Sequence, residues 1–249
     1  MYLNTGERVE SEISLVIPIL SGDREWEQLL PLILGRDAVK EIWLSVQDGD
    51  PYTDKYRQVE RLYAQVHVIE GSPGRGLQIN RAIAAATSSW IWVLHADTRF
   101  NEKIWPFLTA AQSRSPDALH YCDLAFESSQ PLMKLNAYGA RWRSQIFGMP
   151  FGDQGFFFRK IWWTYLGGFS ETACYGEDHL FAWSWRQAGL QLQRIPCPLF
   201  TSSRKYQRDG WLSTTSRHIY LTWLQAAPEW LKLFRGQAAR KKQRATPVK

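Results

Sequence analysis

Residues 90–98 read Trp-Ile-Trp-Val-Leu-His-Ala-Asp-Thr, an apolar run that ends in two polar side chains. The five apolar residues are typical of a strand that is buried on both faces of a parallel sheet. His95 and Asp97 can each bind a metal ion or transfer a proton. Ligands of open α/β sheets bind beyond the carboxyl ends of the strands, so Asp97 would be well placed to hold a cation. Asp is also common in turns, and that second interpretation has equal weight from this stretch alone.

The residues before this strand alternate between short β-rich runs and segments with helical periodicity. This alternation predicts an α/β fold with a doubly wound, Rossmann-like and mostly parallel central sheet that is flanked by helices. Right-handed crossovers bring the loops after the strands to one edge of the sheet, where they would form a cleft. The predicted strands are 13–18, 41–46, 66–69 and 90–94, and the predicted helices between them are 26–33, 53–65 and 77–87.

The second half of the chain is less regular, and it ends in an aromatic helical region. We predict one domain over residues 1–234, with a C-terminal helical extension, followed by a basic disordered tail over residues 235–249. A helix is predicted over 211–225, and Pro228 is expected to start another helix. The other predicted elements are strands 118–126 and 156–158 and helices 105–113, 132–147 and 177–187.

The positive charge of this protein is confined to its C-terminal end. The formal net charge is +6, and six basic residues without any acidic residue lie between Arg235 and Lys249, so residues 1–234 are neutral. We therefore expect no nucleic-acid partner. A solvated, disordered tail is the first interpretation of such a charge run, and contact of the tail with an anionic membrane surface or with nucleic acid comes only second.

The cysteines and the hydropathy pattern indicate the compartment. The three cysteines are odd in number and match no metal-ligand spacing, which is typical of reduced thiols in a cytoplasmic protein. No segment approaches the roughly 18 apolar residues of a spanning helix, so we expect a soluble protein that at most rests on a membrane. Trp211, Ile219, Trp223 and Trp230 could serve such peripheral contact, but we expect them to pack over the sheet.

Three short segments carry side chains suited to phosphates or proton transfer. Gly74-Arg75-Gly76 precedes a predicted helix, whose free N–H groups and dipole favour an anion, although most such turns are only turns. The segment from Ser203 to Tyr206 contains Arg204, which suits a phosphate or a solvated turn equally. Glu177 and Asp178 start a predicted helix, where acidic residues either complement the dipole or act as a general base. Asp48 and Asp50 follow a strand and could hold a ribose or a base by accepting hydrogen bonds, but aspartates that only form a turn are equally plausible there.

The order of these segments resembles that of a family 2 glycosyltransferase with the GT-A fold. Within that family the chain is most similar to a bacterial branch described as arsenosugar-biosynthesis-type glycosyltransferases. The resemblance covers about residues 13–225. It depends on Pro18, the loop at Asp48, Gly74-Arg75-Gly76-Leu77-Gln78-Ile79-Asn80, His95-Ala96-Asp97-Thr98, Gly152-Asp153-Gln154-Gly155, Gly167-Gly168-Phe169 and Glu177-Asp178.

The resemblance implies a role for each of these residues. Asp97 matches the last Asp of the Asp-x-Asp motif and would bind Mn²⁺ or Mg²⁺ at the donor diphosphate, and His95 stands where the first Asp usually is. Asp178, with Glu177 beside it, matches the Glu-Asp motif and would be the general base. The residues that would bind the donor are Asp48, Arg75, Asn80, His95, Asp153, Gln154 and Arg204.

Two segments depart from the family pattern, and both concern nucleotide recognition. Pro18 is followed by Ile19-Leu20-Ser21-Gly22 instead of Asn-Glu, and Gln47-Asp48-Gly49-Asp50-Pro51 replaces Asp-Gly-Gly-Ser. The expected activity is still metal-assisted, inverting transfer of a sugar, of the hexosyltransferase type, from a nucleotide-diphosphate donor to a hydroxyl of a lipid or small molecule. Two alternatives stay open at this point, namely a nucleotidyltransferase of the same fold class and a non-catalytic binding module.

Overall fold

One eight-stranded mixed sheet forms the centre of the molecule. A computed structural model describes residues 12–245, with side chains up to Arg235. The strand order is β3-β2-β1-β4-β7-β6-β8-β5. The first four strands of the chain are parallel neighbours, whereas β7 runs antiparallel to both β4 and β6. The strands are β1 (Ile13–Pro18), β2 (Val39–Gln47), β3 (Val66–Gly71), β4 (Trp90–Val93), β5 (Arg99–Phe100), β6 (Ala118–Phe126), β7 (Phe156–Arg159) and β8 (Gln191–Thr201).

Helices cover both faces of this sheet, so the fold is α/β as predicted. Most predicted elements of the first 126 residues are confirmed within a few residues of their expected ends. A short 3₁₀ turn over Gly152–Gln154 precedes β7. The helices are α1 (Trp26–Ile33), α2 (Thr53–Leu62), α3 (Arg75–Ala85), α4 (Ile104–Arg114), α5 (Pro131–Ile146), α6 (Lys160–Leu166), α7 (Glu177–Ala188), α8 (Arg204–Asp209) and α9 (Trp211–Ala245).

The apolar run of residues 90–94 is buried on both faces of the sheet, as predicted. Trp90, Trp92 and Leu94 point to one side and join the core that α1 and α4 cover. Ile91 and Val93 point to the other side and join the core that α3 and α7 cover. Because side chains alternate along a strand, one unbroken apolar run supplies both cores. Buried on both faces, this strand fixes the position of the loop that follows it.

Strand β8 is an element that the sequence analysis did not predict. It contains Pro196 and Pro198, and proline cannot donate a hydrogen bond to a neighbouring strand. The strand tolerates them because its register with β6 shifts at Cys122/Asp123, and because β5 pairs with it only at Leu199 and Phe200. Pro196 therefore lies within the shift and pairs with no residue of β6, and neither proline pairs with β5.

Helix α9 is longer than the helix predicted over 211–225, and part of it is exposed instead of packing over the sheet. It continues through Pro228, which was expected to start a new helix, and it includes the first part of the predicted basic tail. Residues 246–249 of that tail lie outside the described residues. The helix contacts α7 and α8, where Trp183 of α7 packs against Ala226 and Leu233. The expectation that Ile219 and Trp223 pack over the sheet is wrong, since they are 55% and 45% exposed.

Candidate active site

A cleft of about 690 Å³ lies beyond the carboxyl ends of the parallel strands. Its floor includes Pro18 at the end of β1 and Gln47 at the end of β2, and the loop after β4 forms the centre. The volume is within the usual range of small-molecule sites, and the position is the one that α/β sheets use for ligands. The cleft brings together Arg75, His95, Asp97, Asp153, Asp178 and Arg204 from the predicted set.

Asp97 is held by the end of β8. Its Oδ2 atom accepts hydrogen bonds from Thr201 Oγ1 at 2.8 Å and from the Ser202 amide at 3.2 Å. Burial tends to raise the pKa of this carboxyl, but nearby His95 and the two hydrogen bonds lower it below its ordinary value. Asp97 therefore presents a negatively charged oxygen in the cleft. The sequence analysis did not anticipate the strand that orients it.

Asp178 is the second residue of α7, and its side chain is buried. Its Oδ1 atom accepts a hydrogen bond of 2.7 Å from the His179 amide, and its Oδ2 atom accepts one from the Gly152 amide. A Cβ atom at position 152 would lie 2.6 Å from Asp178 Oδ2 and 2.9 Å from His95 Nε2. Gly152 therefore allows a close approach of backbone, imidazole and carboxylate that any larger residue would prevent.

His95 is a neutral imidazole at physiological pH. Burial is the largest cause that lowers its pKa to about 4, and the guanidinium of Arg75 acts in the same direction. Asp97 and Asp178 favour the charged form but do not outweigh these two effects. A neutral imidazole can accept a hydrogen bond or a metal ion at one nitrogen and donate a hydrogen bond from the other.

Arg75 and Glu177 join the glycine–arginine turn to the start of α7. Arg75 Nε lies 3.5 Å from Glu177 Oε1, and the arginine side chain is half exposed to the cleft. Glu177 is buried and does not line the cleft, and burial followed by its neighbour Asp178 raises its pKa. Glu177 is therefore placed to hold Arg75 rather than to contact a substrate.

Asp153 and Arg143 both line the cleft and interact through their charges without a direct hydrogen bond. Burial is the main cause that raises the pKa of Asp153 to about 6, while Arg143 opposes that rise. The Oδ1 atom of Asp153 is buried and accepts no hydrogen bond. Arg143 stacks 4.2 Å above the Phe151 ring and donates a hydrogen bond to the Met149 carbonyl. Sequence analysis assigned no role to Arg143, because one arginine inside a helix gives no signal.

Three residues of the predicted donor-binding set lie outside the cleft. Asp48 is exposed after β2. Asn80 donates a hydrogen bond to the Phe169 carbonyl and accepts hydrogen bonds from Trp163 and from the Phe169 amide. These bonds connect the Gly167–Phe169 turn to α3. Gln154 is fully buried and bonds to the Cys122 carbonyl and to Ser144. The motif matches at Asn80 and Gln154 therefore correspond to structural hydrogen bonds.

The two segments that depart from the family pattern are bonded to each other. Asp50 is buried, and its carboxylate accepts hydrogen bonds from the amides of Gly22 and Tyr52. The hydrogen bond from the Gly22 amide joins the loop after β1 to the loop after β2. The polar side chains that line the cleft there are Asp23 and Gln47, which the sequence analysis did not assign.

The cleft contains both cations and carboxylates, as a site for a metal-bound diphosphate requires. The cations Lys205 and Arg217 line it together with Arg75, Arg143 and Arg204. Arg204 also forms an ion pair of 2.7 Å with Glu25. In residues 12–235, no three His, Cys, Asp or Glu side chains are arranged to hold a metal ion by themselves. Asp97 with His95 nearby instead suits Mg²⁺ or Mn²⁺, which usually bind one or two carboxylates and complete their shell with substrate phosphates and water.

Comparison with known proteins identifies the fold. No family model and no curated protein matches the sequence. The mannosyltransferase PcManGT from Pyrobaculum calidifontis, solved in complex with GDP-Man and Mn²⁺, is 14% identical with a TM-score of 0.66, over 91% of this chain and 69% of that chain. TarS from S. aureus is 15% identical with a TM-score of 0.60, over 77% of this chain and 60% of that chain.

The likeness extends to a ligand-bound form of the second protein. TarS in complex with UDP-GlcNAc is 13% identical with a TM-score of 0.61, over 77% of this chain and 58% of that chain. The present chain thus matches about three fifths of the TarS chain. Identities of this size establish the backbone architecture and not the activity. The curled mixed sheet with helices on both faces is the GT-A fold.

Proposed function

We propose that this protein is an inverting glycosyltransferase that moves a sugar from a nucleoside-diphosphate donor to a hydroxyl acceptor. The observation that carries the proposal is that Arg75, Asp97 and Asp178 line one cleft at the carboxyl ends of the strands of a GT-A fold. Similar structures contain UDP-GlcNAc, or GDP-Man with Mn²⁺, which supports a donor of this class. The motif resemblance supports family 2 and its arsenosugar-type branch.

The donor diphosphate would bind among the cations of the cleft. Arg75 lies at the N-terminus of α3, where the helix dipole also favours an anion. Arg75 and Arg204 are half or more exposed on the cleft wall, so their guanidinium groups are available to phosphate oxygens. Asp23 and Gln47, which line the cleft after β1 and β2, would contact the nucleoside there, and Asp48 does not line the cleft.

The metal ion would bind through the Asp97 carboxylate, and the neutral imidazole of His95 would be its second protein ligand. A divalent cation there would neutralise the charge that develops on the departing diphosphate. The chain supplies too few ligands to hold the ion alone, so we expect the ion to bind together with the donor. Thr201 and Ser202 fix the Asp97 carboxylate before either arrives.

Asp178 would accept the proton of the acceptor hydroxyl. A carboxylate offers about four lone-pair sites, and the amides of Gly152 and His179 occupy two of them. The acceptor oxygen then forms a bond to the anomeric carbon while the bond from that carbon to the diphosphate oxygen breaks. The proton goes to Asp178, the electron pair leaves with the diphosphate, and attack from the opposite face inverts the anomeric centre.

Replacing the two aspartates tests these assignments separately. With UDP- and GDP-sugars and Mn²⁺, we expect Asp178→Asn to lower nucleoside-diphosphate release about 10²–10⁴-fold, because the proton acceptor is lost. The same variant should keep the donor-induced rise in Tm. Asp97→Ala should lose the Mn²⁺-dependent part of that rise. Asp37→Asn, at an exposed position, is the control and should match the wild type.

Four outcomes would contradict the proposal. Full activity of Asp178→Asn would remove the assignment of the base, and an unchanged Mn²⁺ effect in Asp97→Ala would remove the metal site. Release of pyrophosphate from a nucleoside triphosphate would indicate a nucleotidyltransferase instead. Donor binding without any turnover, across a panel of sugars and hydroxyl acceptors, would indicate a binding module.

A further inference from the structure

Helix α9 carries an exposed apolar stripe along its outer side. Successive side chains of the stripe are one, three or seven residues apart, and these spacings place them all on one face of a helix. From Leu212 to Phe234 the stripe is about 33 Å long, at about 1.5 Å per residue. Thr214, Thr222 and Ala226 of the same helix are buried instead. The exposed members of the stripe are Leu212, Ile219, Tyr220, Trp223, Leu224, Leu231 and Phe234.

A second apolar stripe lies on the neighbouring helix α5, and aromatic rings join the two. Trp142 of α5 contacts Phe147 with ring centroids 4.9 Å apart, and Phe147 contacts Trp223 of α9 at 5.2 Å. Asn136 of α5 also hydrogen-bonds to Thr215 of α9. The exposed apolar residues of α5 are Leu132, Leu135, Tyr138, Trp142 and Ile146. We call the two stripes together the α5–α9 surface.

The α5–α9 surface has basic residues at its edges and almost no acidic residues. Helix α5 contains no Asp or Glu. Helix α9 contains only Glu229, which is buried and bonded to Gln187 and Lys232. The sequence of the last turns of α9 adds four more basic residues, which are Arg240, Lys241, Lys242 and Arg244. The exposed basic residues of the two helices are Lys134, Arg141, Arg217, Lys232 and Arg235.

We propose that the α5–α9 surface docks this protein on an anionic lipid bilayer. Amphipathic helices with aromatic and aliphatic residues on one side and Lys or Arg beside them lie in the plane of the membrane interface. The net positive charge, which is confined to residues 235–249, would be attracted to anionic head groups. A second copy of the chain is a poorer occupant, because two such surfaces would bring their basic edges together. None of the helices in residues 12–245 is long and apolar enough to cross a bilayer, so the helices would lie on it.

The proposed orientation places the cleft next to the membrane. His218, Leu221 and Gln225 on another side of α9 line the cleft. One helix therefore separates the membrane-facing surface from the proposed active site by its own width. The docking proposal does not depend on the proposed function, since membrane binding is measured without any sugar donor.

Flotation of the full chain with lipid vesicles tests the proposal. We expect binding to vesicles of phosphatidylcholine with phosphatidylglycerol, and much weaker binding to phosphatidylcholine alone. Ile219→Asp and Leu231→Asp should each lower binding to the anionic vesicles about tenfold or more, since each removes an apolar side chain from the interface and adds a negative charge. Leu62→Asp is the matched control, because Leu62 is similarly exposed but lies on α2, which packs against the edge strand β3. It should bind as the wild type does.

The charge contribution is tested at the end of α9. Changing Arg240, Lys241, Lys242 and Arg244 to Gln should lower binding to anionic vesicles by about fivefold per residue that lies near the bilayer. Binding of the wild type should also weaken as salt is added. A thermal melt of each variant, compared with the wild type, confirms that the fold is intact.

Several results would overturn the proposal. These are the absence of vesicle binding by the folded wild type, equal binding to neutral and anionic vesicles, or Asp variants that bind like Leu62→Asp. Light scattering gives the last test. A dimer that Ile219→Asp dissociates, together with no vesicle binding, would mean that the surface joins two copies of the chain.

Discussion

Gly152 shows how much of the site depends on one residue without a side chain. Its amide donates to Asp178, and a Cβ atom there would press against both Asp178 and His95. The sequence analysis selected the Gly-Asp-Gln-Gly segment only through its resemblance to a family. The structure gives the physical reason for its first glycine, which is the close packing of three polar groups.

Asp153 provides a prediction at the scale of one residue. Its pKa in the folded protein is raised to about 6, mainly by burial, so ionisation above that pH destabilises the fold. The stability associated with the neutral form is complete below pH 4 and is lost as the pH rises through 6. We expect Asp153→Asn to raise the free energy of unfolding by about 1–3 kcal/mol at pH 8, with a difference that vanishes towards pH 4.

The measurement is urea unfolding of both proteins in EDTA across that pH range. EDTA removes divalent ions, whose charge would favour the ionised carboxylate. Asp37→Asn, at an exposed position, serves as the control and should show no comparable gain at pH 8. A lower stability of Asp153→Asn at pH 8 would show that the charge of Asp153 stabilises its surroundings.

At the scale of secondary structure, Glu41 ties three elements together. This residue of β2 is buried and accepts hydrogen bonds from Ser14 of β1, from Trp43, and from both the amide and hydroxyl of Thr87 before β4. Burial acts to raise its pKa, but the hydrogen bonds from Thr87, Trp43 and Ser14 outweigh it and lower the pKa to about 2. Sequence periodicity placed Glu41 at the start of a strand without indicating this network.

Replacing Glu41 should weaken the junction of these strands. We expect Glu41→Gln to lower the free energy of unfolding by about 2 kcal/mol at pH 7, because its amide group would face donors that are left unpaired. Glu102→Gln is the control, since Glu102 is 64% exposed in its ion pair with Arg36 and should change stability by under about 1 kcal/mol. If urea unfolding gave the same loss of stability for both substitutions, the buried hydrogen bonds of Glu41 would contribute no more than an exposed ion pair.

The predicted strands and helices show which signals a sequence carries well. Apolar runs and helical spacing identified β1 to β4 and the helices between them, because each of these elements buries a continuous face. Strand β8 was missed because its prolines oppose strand formation locally, and its position depends on pairing with distant β6. Asn80 and Gln154 form structural hydrogen bonds, and a motif match does not distinguish a ligand contact from such a bond, so their assignment to the donor stays a prediction.

For the whole molecule, three histidines make the fold sensitive to acid. Burial is the largest cause that lowers the pKa of His95, His179 and His218 to about 4. His179 accepts a hydrogen bond from Trp183 at Nε2 and faces the Gln225 carbonyl with Nδ1, which fits the neutral ring. A histidine whose pKa is lowered in the folded protein contributes to the free energy of unfolding. This contribution is complete above about pH 6.5 and is lost as the pH falls towards 4.

We therefore expect the urea midpoint of unfolding to fall between pH 7 and pH 5. The loss should exceed the gain that protonation of Asp153 and Glu177 gives over the same range, since three groups oppose two. His179→Phe should reduce the slope of stability against pH, whatever its effect at pH 7. A midpoint that stays constant or rises on acidification would show that these histidines are accessible to protons in the native state.

The contacts of Asp97 also have a consequence for the synthesis of the chain. Its hydrogen-bond partner Thr201 follows it by 104 residues, whereas strands β1 to β4 are complete before residue 94. A nascent chain can therefore assemble its parallel strands on the ribosome while the aspartate is still unsupported. Competence to bind a donor would be acquired only after β8 has been synthesised, has joined the sheet and has fixed that carboxylate.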